Sequence, residues 1–317
     1  MIDFTKTAFI FPGQGSQAVG MGKDIFDAYP IARETIQQAD DIMGIHLSKM
    51  MFEGSEDVLG DTAITQPAMY VCGMAVYLAL KQEMPDAIPA FVAGHSLGEF
   101  TALTVAGALS YEDGVKLVQT RGQLMKDAGE KHPGGMAAIL ALDIDAVEVV
   151  VKQASEQSGG IVVIANDNCP GQVVISGDKA ALDLAIELAK EAGARRAMPL
   201  DVSVATHSPL MNPAKEQFIE ALNAAGISNA QIPVVQNVCA CAVTDAQILR
   251  TNLEKQLVSS VRWTPSIEMM IAQGVDLFVE IGSKNVLTGL LRRINRDKIG
   301  VNIQDTSTLS NFMASNT

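Results

Sequence analysis

The chain has 317 residues, 48% of them apolar, and carries a net charge of −13 with a pI near 4.7. That length holds one large domain or two smaller ones around a sizeable core. The acidic balance argues against nucleic acid or an anionic membrane surface as a partner. The four cysteines, Cys72, Cys169, Cys239 and Cys241, form no C-x-x-C, and histidine is too sparse for a zinc cluster, so no metal site is expected. Cys239 and Cys241 should share one face of a strand and serve packing. The N-terminus lacks a basic segment followed by an apolar run, and the longest clean apolar stretch, Met69 to Leu80, is too short to span a bilayer. A soluble, reduced, cytoplasmic chain is expected.

In chain order, Thr7 to Phe11 reads as a buried strand ending in Pro12-Gly13-Gln14-Gly15-Ser16-Gln17-Ala18. Gly13-x-Gly15-x-x-Ala18 has the spacing of a dinucleotide fingerprint. That fingerprint needs a second strand close behind, whereas Tyr29 to Met43 reads as a helix. A loop at the carboxyl end of a parallel strand is the better reading. Gln66-Pro67 opens a helix to about Glu83, with proline in its first turn. Ala90 to Ala93 is the next strand. It runs into Gly94-His95-Ser96-Leu97-Gly98, and a helix follows to about Gly107.

Strand, sharp turn, helix around G-x-S-x-G is the arrangement that lifts a serine clear of a sheet. The N–H of Leu97 then points near the seryl oxygen, where negative charge collects during acyl transfer. The glycines are required because a side chain would crowd the turn. The bland alternative is a glycine-rich connection whose serine caps a helix; the flanking pattern favours a nucleophile.

Ser110 with Asp113 resembles a capping box, opening a helix from Tyr111 to about Ala128. Leu117, Val118, Leu124, Met125 and Ala128 form its apolar face, and Arg121 falls at the centre of that face. A guanidinium there must be paired. Two readings stand open: an internal ion pair, with Glu99 for instance, or a fork waiting for a ligand carboxylate.

Composition shifts at Lys131-His132-Pro133-Gly134-Gly135, a hinge. Beyond it come strand Met136–Leu142, helix Ile144–Gln157, strands Ile161–Asn166 and Gln172–Ser176, helix Asp178–Ala192 and strand Arg195–Val204. That is the ferredoxin-like order, read as a small domain (131–204) inserted into a large one (1–130 and 205–317). The large domain resumes with His207 in a loop, helix Pro213–Ala225, strand Pro233–Val238, helices around Asp245–Leu257 and Thr264–Gln273, and strand Leu277–Ile281 before a Leu- and Arg-rich helix. The tail from Thr306 is polar and expected to be loose. Strands alternating with helices predict an α/β fold with a parallel sheet.

A seryl hydroxyl needs a base. Of the four histidines, His95 adjoins the serine and points away from it, and His46 reads as a surface residue on an upstream helix. His132 lies in the hinge. His207, where the large domain resumes, is better placed to face a cleft and is favoured.

Phe11-Pro12-Gly13-Gln14-Gly15-Ser16-Gln17, Thr65-Gln66-Pro67-Ala68, Gly94-His95-Ser96-Leu97-Gly98-Glu99, Arg121-Gly122, Pro170-Gly171-Gln172-Val173-Val174-Ile175-Ser176-Gly177 and Val286-Leu287-Thr288-Gly289-Leu290 occur in that order. With them the chain closely resembles the malonyl-CoA:acyl carrier protein transacylases of bacterial fatty acid synthesis, up to about Arg293. The resemblance implies a hydrolase-like α/β large domain with a ferredoxin-like insert and a site in the cleft between them. It implies Ser96 as nucleophile, His207 as general base, the N–H groups of Gln14 and Leu97 as oxyanion hole, and Arg121 as the binder of the malonyl carboxylate. It further implies that the backbone carbonyl of Gln256 orients the base. Malonyl-CoA and acyl carrier protein would be the partners, with no metal or redox cofactor; the sequence is silent on oligomeric state, and a monomer is the expectation. A trans-acting polyketide acyltransferase is the near alternative, and a serine thioesterase the more distant one. Gly282-Ser283-Lys284-Asn285 departs from the Gly-Pro-Gly frequent in relatives, and Val204-Ala205-Thr206-His207 departs from Val-Pro-Ser-His, a segment that touches the acyl substituent there. Arg292, Arg293, Arg296 and Lys298 form the densest basic patch, a docking surface for an acidic carrier or an ordinary solvated helix end.

Overall fold

A computed structural model describes residues 2–131, 133–202 and 204–315. Its strands, in chain order, are β1 (Thr7–Phe11), β2 (Phe91–Gly94), β3 (Gly134–Leu140), β4 (Val162–Cys169), β5 (Gln172–Asp178), β6 (Arg196–Pro199), β7 (Val234–Gln236), β8 (Cys241–Val243), β9 (Val261–Arg262), β10 (Leu277–Ile281) and β11 (Ile299–Ile303). They form two sheets, ordered β11-β10-β1-β2-β7-β8 and β6-β3-β5-β4-β9. The first is parallel from β11 to β7, and β8 turns back antiparallel to β7.

Every residue of β1 is buried, as an unbroken apolar run predicts for a strand covered on both faces. β1 and β2 are neighbours with Phe11 opposite Gly94. The loop at Pro12 and the turn at Ser96 therefore leave the sheet side by side at its carboxyl edge. The helix Thr62–Glu83 packs beneath them and begins a turn before the expected start. Asp61 accepts the Ala63 N–H, and the Thr65 hydroxyl donates to the carbonyls of Leu59 and Asp61, so the first turn closes ahead of Pro67. At 22 residues this helix, unlike the shorter apolar stretch legible in the sequence, is long and apolar enough to cross a bilayer. With 78% of its apolar window buried, it is a core helix, and each large side chain it buries contributes about 1.5–3 kcal/mol.

In the second sheet β6, β3, β5 and β4 are antiparallel. The helices Ile144–Ser158 and Lys179–Glu191 cover it, with a core of its own that includes Ile139, Val147, Val150, Ile175, Leu182 and Ile186. β6 is shorter than expected: the Leu200 N–H still donates to the Met136 carbonyl at 2.9 Å, but the Val202 N–H turns back onto the Leu200 carbonyl and takes the chain off the sheet. β9, which lies in sequence between β8 and β10 of the large sheet, adds to the far edge of the small sheet parallel to β4.

Two expectations are corrected. The tail is not loose: β11 precedes a helix, Thr306–Ala314. Asp305 accepts the Thr308 N–H at 2.7 Å while Thr308 Oγ1 accepts the Asp305 N–H at 3.0 Å, and Leu309 and Phe312 are buried in the main core. Two apolar side chains one turn apart suffice to dock such a helix, which a polar composition conceals. Cys239 and Cys241 do not pack on a strand as the reduced thiols expected, because a disulfide joins them. β8 begins only at Cys241, and Ala240, with φ 52°, turns the chain so that the two sulfurs meet.

Asp305→Ala removes the reciprocal cap and should destabilise the protein by about 1 kcal/mol. The check is urea denaturation: the midpoint should fall with an unchanged slope.

Candidate active site

Ser96 stands at the apex between β2 and the helix Gly98–Val105 in a left-handed conformation, φ 51°. For a non-glycine residue this is a strained state of about 1–3 kcal/mol that persists only when its surroundings enforce it. The Ser96 N–H donates to Asn237 Oδ1 at 2.7 Å, and its carbonyl accepts from Gln256 Nε2 at 3.0 Å. A Cβ on Gly94 would lie 1.9 Å from the Gly98 backbone, and one on Gly98 2.1 Å from the Phe11 carbonyl. The turn can press against β1 only because neither residue has a side chain.

His207, also left-handed at φ 59°, is buried with its N–H donated to the Leu257 carbonyl. Its Nδ1 lies 3.0 Å from the carbonyl oxygens of both Gln256 and Ser259. Carbonyls only accept, so Nδ1 carries the proton and Nε2 is bare. Nε2 lies 2.8 Å from Ser96 Oγ and accepts the hydroxyl proton's hydrogen bond. Burial, and next the charge of Arg121, push the imidazole down to about 3, which keeps it neutral. Of the other histidines, His132 lies outside the described residues, and His46 is exposed just ahead of the helix Leu47–Glu53. His95 Nε2 donates to Asn168 Oδ1 at 2.8 Å while its ring meets Trp263 edge-on.

Arg121 is wholly buried. Its Nη1 donates to Gln66 Oε1 at 2.6 Å, and its Nη2 to Ser96 Oγ and Gln256 Oε1, each at 3.1 Å. Its Nε is buried with no partner. Arg121 takes part in none of the ion pairs among the described residues. The internal pair with Glu99 does not form: that carboxylate accepts from Gln236 Nε2 at 3.1 Å and from the Asn237 N–H at 2.9 Å. Burial pushes Arg121 down to about 10, with Glu99 opposing from a distance, and burial pushes Glu99 up. The guanidinium thus sits among neutral dipoles, with an unsatisfied donor and no counter-ion.

Ser96 and His207 border a cavity of about 520 Å³ together with Gln14, Gln66, Met136 and Leu290, and Arg121 lies behind its wall, 3.1 Å from Ser96 Oγ. The N–H groups of Gln14 and Leu97 take part in none of the backbone hydrogen bonds of the described residues. Val204 and Thr206 line the same cavity, and the Thr206 hydroxyl rests on Met136 Sδ at 3.0 Å. Three groups escaped the sequence reading: Asn237, the side-chain amide of Gln256, and the Ser259 carbonyl. Gln66 was legible only as a helix start. A buried amide in an apolar segment is the one signal that could have marked Gln66 and Asn237.

An acyl transferase domain model matches residues 8–308, which sets the class. The malonyl CoA-acyl carrier protein transacylase of Bacillus subtilis is 44% identical over 305 residues, 96% of this chain and 95% of its own. That of Haemophilus influenzae is also 44% identical, over 96% of this chain and 97% of its own. Among solved structures, an acyl carrier protein S-malonyltransferase from Vibrio cholerae superposes with a TM-score of 0.94 at 41% identity, covering 97% of this chain and all of the other. A malonyl-transacylase solved in complex with its type II PKS acyl-carrier protein gives 0.94 at 38%, over 98% and 100%. The chain belongs to the malonyl-CoA:acyl carrier protein transacylases.

Because His207 is already neutral, the reactivity of Ser96 should not fall as pH drops through the ordinary histidine range. A base of pKa near 6.5 would be only about one-tenth neutral at pH 5.5. The rate of labelling of Ser96 by an uncharged fluorophosphonate should instead stay within a factor of about two from pH 8 to pH 5.5. A tenfold loss over that range would mean that burial does not hold the imidazole neutral.

Proposed function

We propose that Ser96 is the nucleophile and His207 the general base of malonyl transfer from malonyl-CoA to the phosphopantetheine thiol of acyl carrier protein. The observation that carries the reading is the buried Arg121 guanidinium, donating to Ser96 Oγ at 3.1 Å and lacking any carboxylate of its own. A malonyl carboxylate supplies the missing charge and places the thioester carbonyl beside the hydroxyl.

Ser96 Oγ attacks that carbonyl as Nε2 of His207 takes its proton. The N–H groups of Gln14 and Leu97 stabilise the oxyanion. The carbonyls of Gln256 and Ser259 hold the imidazolium through Nδ1, in the place an aspartate takes in other serine enzymes. The intermediate collapses, coenzyme A leaves with the proton, and malonyl-Ser96 forms. The carrier thiol then enters, His207 deprotonates it, and the same steps run in reverse. Side chains and backbone handle all charge and protons, so the reading calls for no metal or redox cofactor.

The small sheet with its two helices fits a ferredoxin-like insert spanning 131–204, closed by β9, and the cavity fits a cleft between it and the parallel sheet. Action as a cytoplasmic monomer, with neither nucleic acid nor membrane as partner, completes the reading. Fatty acid synthesis is the pathway the close relatives support. The similarity to a transacylase with a type II PKS carrier favours a polyketide carrier as the second reading.

Of the basic patch, Arg293 donates to Gln172 and to the Pro170 and Gly171 carbonyls, and Lys298 pairs with Asp276. Arg292 and Arg296 border a surface hollow and are the two exposed arginines left for an acidic carrier. Reversing both to Glu should raise KM for the carrier and weaken its salt dependence, leaving KM for malonyl-CoA unchanged. An unaltered carrier KM would place docking elsewhere.

Arg121→Ala leaves the malonyl carboxylate unpaired in a dehydrated site, a loss of about 2–5 kcal/mol or roughly one to three powers of ten in kcat/KM. An acetyl group has no carboxylate to leave unpaired, so acetyl transfer should fall less, the malonyl-to-acetyl ratio should collapse, and Arg121→Lys should restore only part of it. Equal losses on malonyl-CoA and acetyl-CoA would sink carboxylate recognition.

A further inference from the structure

The nucleophile's strained backbone must be held from outside, and one side chain does most of it. Asn237 follows β7 and is 1% exposed. Its Oδ1 accepts the Ser96 N–H at 2.7 Å, and its Nδ2 donates to the Gly94 carbonyl at 2.7 Å. A donor on one side and an acceptor on the other fix the orientation of the amide. Its backbone is pinned as well: the N–H donates to Glu99 Oε2 at 2.9 Å, and the carbonyl accepts the Arg262 N–H at 3.1 Å.

We propose that Asn237 is a positioning residue for the malonyl transfer, a clip that holds Ser96 left-handed with Oγ in line with His207. The proposal rests on the assignment of Ser96 as nucleophile. The clip spans the turn from the last residue of β2 to its apex, and Glu99 ties it to the helix that follows. Without it, Ser96 is free to relax toward negative φ, the ordinary range for a residue with a side chain. Oγ would then swing away from Nε2 and from Arg121. The clip has a second effect. It occupies the Ser96 N–H, so this donor cannot turn toward the acyl carbonyl and compete with the oxyanion donors.

Arg121 makes no hydrogen bond to Asn237 and keeps Gln66 and Gln256 as partners when the turn relaxes, so carboxylate binding and acylation should separate. In Asn237→Ala, single-turnover acylation by malonyl-CoA should fall about 30- to 100-fold, the scale of a misplacement near 1 Å. The dissociation constant for malonyl-CoA, measured in a Ser96→Ala background, should change by less than about threefold. Asn237→Asp gives a readout that packing alone would not move. As a carboxylate, residue 237 can accept from Ser96 but cannot donate to Gly94; once protonated it can do both. Its acylation rate should therefore rise as pH falls from about 8 to 6, while the unsubstituted protein stays flat. Should Asn237→Ala fail to fold, the pH profile of Asn237→Asp decides alone. Acylation within about threefold of the unsubstituted rate in Asn237→Ala, equal losses in binding and acylation, or a flat profile for Asn237→Asp would each overturn the clip. Intact mass of the unsubstituted protein after malonyl-CoA separates the two levels: an adduct absent from Ser96 removes the nucleophile assignment itself, whereas an adduct on Ser96 with unaffected Asn237 variants removes only this inference.

Discussion

A positive charge buried without a counter-ion organises this molecule. Arg121 projects from the middle of an otherwise apolar helix face toward the turn that carries Ser96. A charge in that position is tolerable only if dipoles surround it. The side-chain oxygens of Gln66 and Gln256 and the hydroxyl of Ser96 provide them. Each of those partners thereby acquires a fixed orientation, and each borders the chemistry. The same charge helps to keep His207 neutral. The nearest buried carboxylate, Glu99, is kept from neutralising it by its own bonds to Gln236 and Asn237.

The second constraint is geometric. Because β1 and β2 are adjacent and parallel, the loop carrying Gln14 and the turn carrying Ser96 emerge together. Neither element brings the imidazole that faces Ser96 Oγ. His207 and its two orienting carbonyls come from over a hundred residues later in the chain, from the loop before the helix Asn212–Ala224 and from the end of the helix Ala246–Gln256. The small sheet closes the cavity from the other side. It is bound to the large one by β9, by Thr264 on Asp167 and by Arg293 on the turn between β4 and β5. The cleft is thus framed by contacts between segments far apart in sequence.

What the sequence determined by itself was whatever depends on neighbours along the chain. The apolar run of β1, the glycine-flanked serine turn, the amphipathic helix with a misplaced arginine and the alternation of strands and helices are all local patterns. Their physical causes act over a few residues. Ser96, the Leu97 N–H beside it and the unusual burial of Arg121 were therefore readable directly, His207 was favoured by its placement, and only Gln14 and Gln256 rested on the resemblance alone. Only the tertiary structure decided the partners. Whether Arg121 paired with Glu99, which oxygen atoms faced His207 Nδ1, and that Asn237 hydrogen-bonds the serine turn all depend on distances between residues 22 to 143 positions apart. The tail was misjudged for the same reason. Leu309 and Phe312 are too few to announce a helix, yet enough to hold one once the main core offers a surface. Cys239 and Cys241 likewise met because of the backbone turn at Ala240, a conformation that residue types along a strand do not encode.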